Sequence, residues 1–192
     1  MKNKMKIAID IDEVLMPLLR PMAAYHRVVL PVGVAKYPYL FREAFKVSEE
    51  KSQYMLREYY DSEEFRNTQP IEGSQRFLRR YRFEHPNSKL YVVTGRQNVV
   101  RLATEEWLDQ HYEGVFDDLI LTNSFTRDEI FKSSVCLALN ADLIIDDNFG
   151  ICRDCEARGT DAINFIGDPV YPWCKENAIA TKSWLEMKID EK

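Results

Sequence analysis

Short apolar runs that end in polar or acidic residues recur along this chain: Ile7–Ile9, Leu90–Val93, Leu119–Leu121, Leu143–Ile145 and Ala162–Ile166. Runs of this length suit strands buried on both faces, as in parallel sheets. The later runs lie roughly 20 residues apart, room for a helix and two short loops in a crossover. The intervening segments carry helical spacing, as at Val99, Val100, Ala103, Trp107 and Leu108. After Asn148, Ile151 and Cys155 continue a helical face up to a stop at Gly159. The alternation predicts an α/β, Rossmann-like fold: a mostly parallel sheet flanked by helices.

The first interval breaks this rhythm. Asp10 to Val93 is too long for one crossover, so a segment is inserted after Leu15. Its apolar positions, Leu40, Phe41, Ala44 and Phe45, then Tyr54, Met55, Tyr59 and Tyr60, read as helical. Pro70 and Gly73 mark the return, and a helix over Ser74–Phe83 leads to the second strand. The expected organisation is a core of residues 1–15 and 71–192 with a small helical cap, 16–70, beside the strand ends. The tail Lys188–Lys192 is charged and expected to fray.

Composition narrows the function classes. A chain of 192 residues that is 45% hydrophobic can build a core without staples. Its net charge of −5 argues against a broad surface for a nucleic-acid polymer but leaves room for a small phosphorylated partner. No apolar stretch reaches membrane-spanning length, and Met1–Lys6 lacks the pattern of a signal peptide. The four cysteines, Cys136, Cys152, Cys155 and Cys174, read as reduced thiols in a cytoplasmic protein. Oligomeric state has no signature in the pattern.

Four polar signals occur in order along the chain, three of them closing apolar runs. Asp10-x-Asp12 follows the first, Thr94-Gly95-Arg96 the second, and Asp146-Asp147 the fourth, with Lys132 between the last two. In an open α/β sheet these strand ends share one ligand-binding edge. Paired carboxylates there can hold a hard cation, and one can attack an electrophile.

In order and placement these motifs resemble the haloacid-dehalogenase-like (HAD) hydrolases, with the 5′(3′)-deoxyribonucleotidase-like group the nearest likeness. The resemblance spans Ile7 to about Asn148 and is most specific over Tyr91–Arg96 and Lys132–Asn148. It implies a Mg²⁺-dependent phosphomonoester hydrolase of a small phosphorylated metabolite, with nucleoside monophosphates first in line. Asp10 would be the nucleophile and Asp12 the acid and base. Asp10, Asp146 and the backbone carbonyl of Asp12 would hold the metal, with Asp147 behind them or orienting Lys132. Thr94, Gly95, Arg96 and Lys132 would hold the phosphate. Many relatives carry glycine where this chain has Glu13, which is expected to point to solvent.

Plainer readings stand beside these. Thr126-Arg127-Asp128-Glu129 resembles a capping box that would place Lys132 inside a helix; a helix start near Ser133 would leave Lys132 at the site. Arg96 and Arg127 are the substitutes for Lys132, and Arg96 is equally a salt-bridging residue. Cys152-x-x-Cys155 lacks a second pair and reads as packing. His26, His85 and His111 show no ligand spacing; Tyr37, Tyr39, Phe41 and Phe45 could stack on a base or sugar of a substrate, with packing the default reading at helical spacing. The competing functions are a catalytically weak HAD-fold binding or regulatory protein, and a receiver domain. A receiver would carry its acidic pair early and the acceptor later, the reverse of the order here.

Overall fold

The computed structural model describes residues 4–34, 36–168, 170–171, 173–174 and 180–189; the outermost residues of both termini, including 190–192 of the charged tail, lie outside these. Among the described residues six strands form one parallel sheet: β1 (Lys6–Ile9), β2 (Lys89–Thr94), β3 (Asp118–Leu121), β4 (Leu143–Asp146), β5 (Asp161–Phe165) and β6 (Ala180–Thr181). Their order is β3-β2-β1-β4-β5-β6. Each of the five apolar runs is a strand. The two residues of β6 are too few to show a period.

Ile7, Ala8 and Ile9 are all fully buried, which explains the unbroken apolar run of β1. Each isoleucine contributes about 1.5–3 kcal/mol by leaving water. Alternate residues feed opposite faces. Ile7, Ile9, Val92 and Ile145 join the larger core cluster, while Ala8, Val93 and Ile144 join a smaller one with Cys136, Cys152 and Cys155. The Cys-x-x-Cys pair is thus packing under the sheet, and its thiols are free.

Three helices make the crossovers: α6 (Arg101–Tyr112) between β2 and β3, α7 (Lys132–Leu139) between β3 and β4, and α8 (Phe149–Glu156) between β4 and β5. Between β1 and β2 come α1 (Leu19–Tyr25), α2 (Phe41–Phe45), α3 (Glu49–Tyr60), α4 (Glu63–Arg66) and then α5 (Ser74–Glu84). The side chain of Ser48 caps α3 by accepting from the Lys51 amide at 3.2 Å, and Glu49 and Glu50 sit where the helix dipole favours anions. Ser52, Met55 and Tyr59 form its buried face. The inserted chain leaves after Leu15 and returns at Ile71, whose amide donates to the Leu15 carbonyl at 2.8 Å. Met22, Tyr59 and Phe65 share the larger core cluster with Leu15 and Trp107.

The strand order reverses between β1 and β4. Such a switch point opens a crevice beyond the carboxyl ends of the two strands.

Candidate active site

Sheet register brings the first two carboxylates together. Ile9 pairs with Ile145, and the Asp10 amide donates to the Ile145 carbonyl at 3.0 Å, so Asp10 stands beside Asp146. Asp147 follows directly. One carboxylate oxygen from each of Asp10, Asp146 and Asp147 lies within 4.8 Å of the others, and all three residues are buried. Lys132 opens α7 and is itself buried. Its Nζ lies 2.8 Å from Asp10 Oδ2 and 2.7 Å from Asp146 Oδ2. Thr126–Glu129 forms turns, not a helix, and Arg127 is exposed.

Three buried carboxylates face one ammonium. Burial pushes Asp10 up to about 7; Asp146 and Asp12 add to the rise while Lys132 opposes it. Burial, then the charge of Asp146, holds Asp147 well above the usual carboxylate range. Burial works against the Lys132 ammonium, yet Asp10 and Asp146 outweigh it and hold Lys132 well above an ordinary lysine. Asp10 Oδ1 is buried with no hydrogen-bond partner. An orphaned polar atom of this kind costs about 1–3 kcal/mol. A hard divalent cation satisfies such an oxygen and offsets the excess charge, so the donor set fits Mg²⁺.

A second ring of residues holds these groups. The Asn148 amide donates to Asp146 Oδ1 at 2.8 Å, while the Asn148 side chain caps α8 through Gly150 and Ile151. The Asn164 side chain donates to the main-chain carbonyls of Asp146 and Asp147 at 3.3 and 2.9 Å. The Trp173 indole donates to Asp147 Oδ2. Asp147 is therefore held by Trp173, and Lys132 takes its ion pairs with Asp10 and Asp146. Sequence reasoning missed Asn164 and Trp173, which come from distant segments and carry no local signal. Asn148 had one: an amide residue before an apolar helical face is a cap signature.

Asp12 is placed differently. Its carboxylate meets the Arg96 fork, with Nη2 at 2.6 Å from Oδ1 and Nε at 3.1 Å from Oδ2. Arg96 is the salt-bridging residue of the alternatives weighed for it. Thr94 is fully buried, and its hydroxyl accepts from the Arg96 amide at 3.3 Å. Gly95 and Arg96 line the neighbouring cavity wall. A side chain at 95 would press on Ser124, whose Oγ would lie 3.1 Å from the added carbon.

Glu13 departs from the expectation that it faces solvent. It adopts φ +62°, the left-handed conformation that glycine takes without strain. Its Oε1 accepts from the amides of Leu18 and Leu19 at 3.0 and 2.8 Å, capping the start of α1. Tyr171 lies beside the same carboxyl, whose pKa burial pushes up to about 7. Around it the Ile11 carbonyl accepts from Val14, Leu15 and Met16, closing one tight turn.

A cavity of ≈ 570 Å³ runs from Asp10, Asp12 and Lys132 to the inserted helices. Leu56 and Tyr60 of α3 and Phe41 of α2 form part of its far wall. Tyr39 lies edge-on to Trp173 at 5.0 Å and near Phe125 at 6.1 Å. Of the aromatics weighed for substrate contact, Tyr39 and Phe41 line this space, whereas Tyr37 and Phe45 are buried packing residues. None of the three histidines lines it.

No protein-family model and no curated protein matches the sequence. Solved structures do match in fold. A haloacid dehalogenase-like hydrolase from Streptococcus pneumoniae aligns with TM-score 0.61 at 13% identity, over 88% of this chain and 88% of that one. This chain has the HAD fold. A HAD-family hydrolase from Deinococcus radiodurans, solved with bound phosphate and sodium, aligns with TM-score 0.59 at 13% identity over 95% and 93% of the two chains. A HAD-superfamily hydrolase of subfamily IA from Geobacter sulfurreducens gives TM-score 0.59 at 13% identity over 96% and 95%. At these identities the likeness is one of fold, and the chemistry rests on this chain's own residues. No described helix is long and apolar enough to cross a membrane.

Proposed function

We propose that this protein is a Mg²⁺-dependent phosphomonoester hydrolase working through an aspartyl-phosphate on Asp10. The observation that carries the reading is the buried cluster of Asp10, Asp146 and Asp147 with Lys132 bridging two of them at the floor of the cavity. Asp10, Asp146 and the Asp12 carbonyl would hold Mg²⁺, with Asp147 behind them; bound there it supplies positive charge to the phosphoryl oxygens.

An Asp10 oxygen forms a bond to phosphorus as the bond from phosphorus to the ester oxygen breaks. The departing oxygen takes a proton from Asp12. Water then adds to phosphorus, gives a proton back to Asp12 and displaces Asp10, which leaves inorganic phosphate and the starting enzyme. Lys132 neutralises charge on Asp10 and on the phosphoryl oxygens, the kind of preorganised stabilisation such transfers need. The main chain at Gly95 on the cavity wall would meet the phosphoryl oxygens, with the buried Thr94 bracing that turn from behind and the Arg96 side chain kept on Asp12.

Residues 16–70 act as a cap over the core of 1–15 and 71–192, excluding water and reading the leaving group. Support for a ring-bearing leaving group, a nucleoside monophosphate first, comes from the aromatic wall at Tyr39, Phe41 and Phe125. A reducing, cytoplasmic setting suits the buried free thiols.

The test is phosphate release from nucleotides, sugar phosphates and phosphoglycolate, with Mg²⁺ and with chelator. Mg²⁺-dependent release is the expected result. Silence across all of them, with the protein folded, would turn the reading toward a binding or regulatory HAD-fold protein.

A further inference from the structure

We infer that Arg96 is a positioning residue that aims Asp12 and ties that aim to the inserted helices; this rests on the phosphohydrolase reading above. The Arg96 side chain is 1% exposed. Its Nε and Nη2 engage both oxygens of Asp12. Nη2 also meets Met16 Sδ at 3.1 Å, and Nη1 donates to Thr104 Oγ1 at 3.1 Å. The guanidinium lies 4.9 Å from the ring centroid of Tyr60 on α3 and 5.3 Å from that of Phe65 on α4.

These contacts use the fork on protein groups. Arginine has five N–H donors in one rigid plane, and here they point to Asp12, Met16 and Thr104. The cation is thus committed to Asp12 and is not a free arm for the phosphoryl group. The two rings fix the plane of the guanidinium, and the guanidinium fixes the carboxylate. Tyr60 and Phe65 belong to the insertion, while Asp12 and Arg96 belong to the sheet edge. A shift of α3 or α4 therefore reaches the proton-handling group through one side chain. Lysine, a point charge on a flexible stem, cannot reproduce this.

The test sets Arg96→Met and Arg96→Lys in the parent and in Asp12→Asn, with p-nitrophenyl phosphate and glycerol phosphate as substrates and Mg²⁺ present. p-Nitrophenolate leaves without needing a proton, whereas glycerol does not. In Arg96→Met, steady turnover of either ester falls about 100-fold, the range for losing a general acid or base. The first turnover of p-nitrophenyl phosphate falls about 3-fold or less, so one equivalent of p-nitrophenol appears as a burst. Arg96→Lys restores part of the turnover. Added to Asp12→Asn, Arg96→Met costs no more than about a further 2-fold, because its route to the reaction is already gone. A further 10-fold loss in that background, or a first turnover that falls as far as steady turnover, overturns the inference. If Arg96→Met does not fold, Arg96→Lys is read by the same two criteria. A parent protein that cleaves neither these esters nor the wider panel overturns the hydrolase reading itself; an active parent with additive variants overturns only the role of Arg96.

Discussion

Asp10 and Asp12 stand two residues apart but belong to differently built regions. Asp10 is set by backbone: the pairing of β1 with β4 fixes it against Asp146, and α7 delivers Lys132 between them. Asp12 is set by side chains: it lies past the strand, in a tight turn, and its partner is an arginine held by rings from the inserted helices. The first region is rigid because a sheet register has no intermediate positions. The second takes its geometry from how the insertion packs, since the rings beside Arg96 come from α3 and α4. A hydrolase with a cap can use that division, keeping the nucleophile fixed while the proton-handling group answers to the cap.

The sharpest break of this contrast is Asp10→Asn. Turnover falls on the order of 10³-fold or more, the scale seen when an enzyme loses its nucleophile. Phosphate release reads the loss. Stability is expected to hold or rise, because burial already pushes the Asp10 carboxyl up to about 7 and a neutral amide carries no charge to bury. Circular dichroism melting reads that arm. Lys132→Met attacks the same region from the other side. It strands buried carboxylates without their cation, a change that typically costs about 3–5 kcal/mol. Denaturant midpoints should show a loss of that size, and added Mg²⁺ should recover more stability in this variant than in the parent.

The contrast also explains what could be read from sequence. Strand cores were legible as unbroken apolar runs, and Asp10, Thr94 and Asp146 because each closes such a run; Lys132 opens α7 instead and had only the resemblance to point to it. The strand boundaries shift by only one residue at most ends. Trp173 and Asn164 were not legible, since they reach Asp147 and the β4 carbonyls by tertiary placement alone. Glu13 was misjudged for a similar reason. The local rule that a sharp turn wants glycine describes its backbone, but the amides of Leu18 and Leu19 and the Tyr171 hydroxyl lie beyond the turn. The pairing of Arg96 with Asp12 was one of two readings, and spacing could not choose between them.

Trp173→Phe tests whether the ring of support around the first region matters to a cation. Phenylalanine keeps the packing against Tyr39 and Tyr171 but removes the N–H that reaches Asp147. Loss of an outer-shell partner typically lowers metal affinity 10- to 100-fold. A Mg²⁺ titration by calorimetry should show a drop near the lower end, about 10-fold, because Asp147 is the outermost carboxylate in this reading. An unchanged affinity would remove Trp173 from the support of the site.

The smallest effects lie at Glu13, where the two regions join. Glu13→Gly relieves the left-handed strain but deprives two amides of their acceptor, whereas Glu13→Ala loses the acceptor and keeps the strain. Alanine should therefore be less stable than glycine by about 1 kcal/mol, the usual penalty for a side chain in that conformation. Glu13→Gln keeps an acceptor oxygen but removes the titration. In the folded protein this carboxyl is raised from 4.5 to about 7, so the fold favours its protonated form. That contribution is complete below the unfolded value and is lost as pH rises through about 7. In the metal-free protein the stability of the parent relative to Glu13→Gln should decline between pH 5 and pH 8. A flat difference across that range would mean that the cap of α1 holds the carboxylate as readily as the acid, and that the turn joining Asp12 to the insertion is electrostatically neutral to pH.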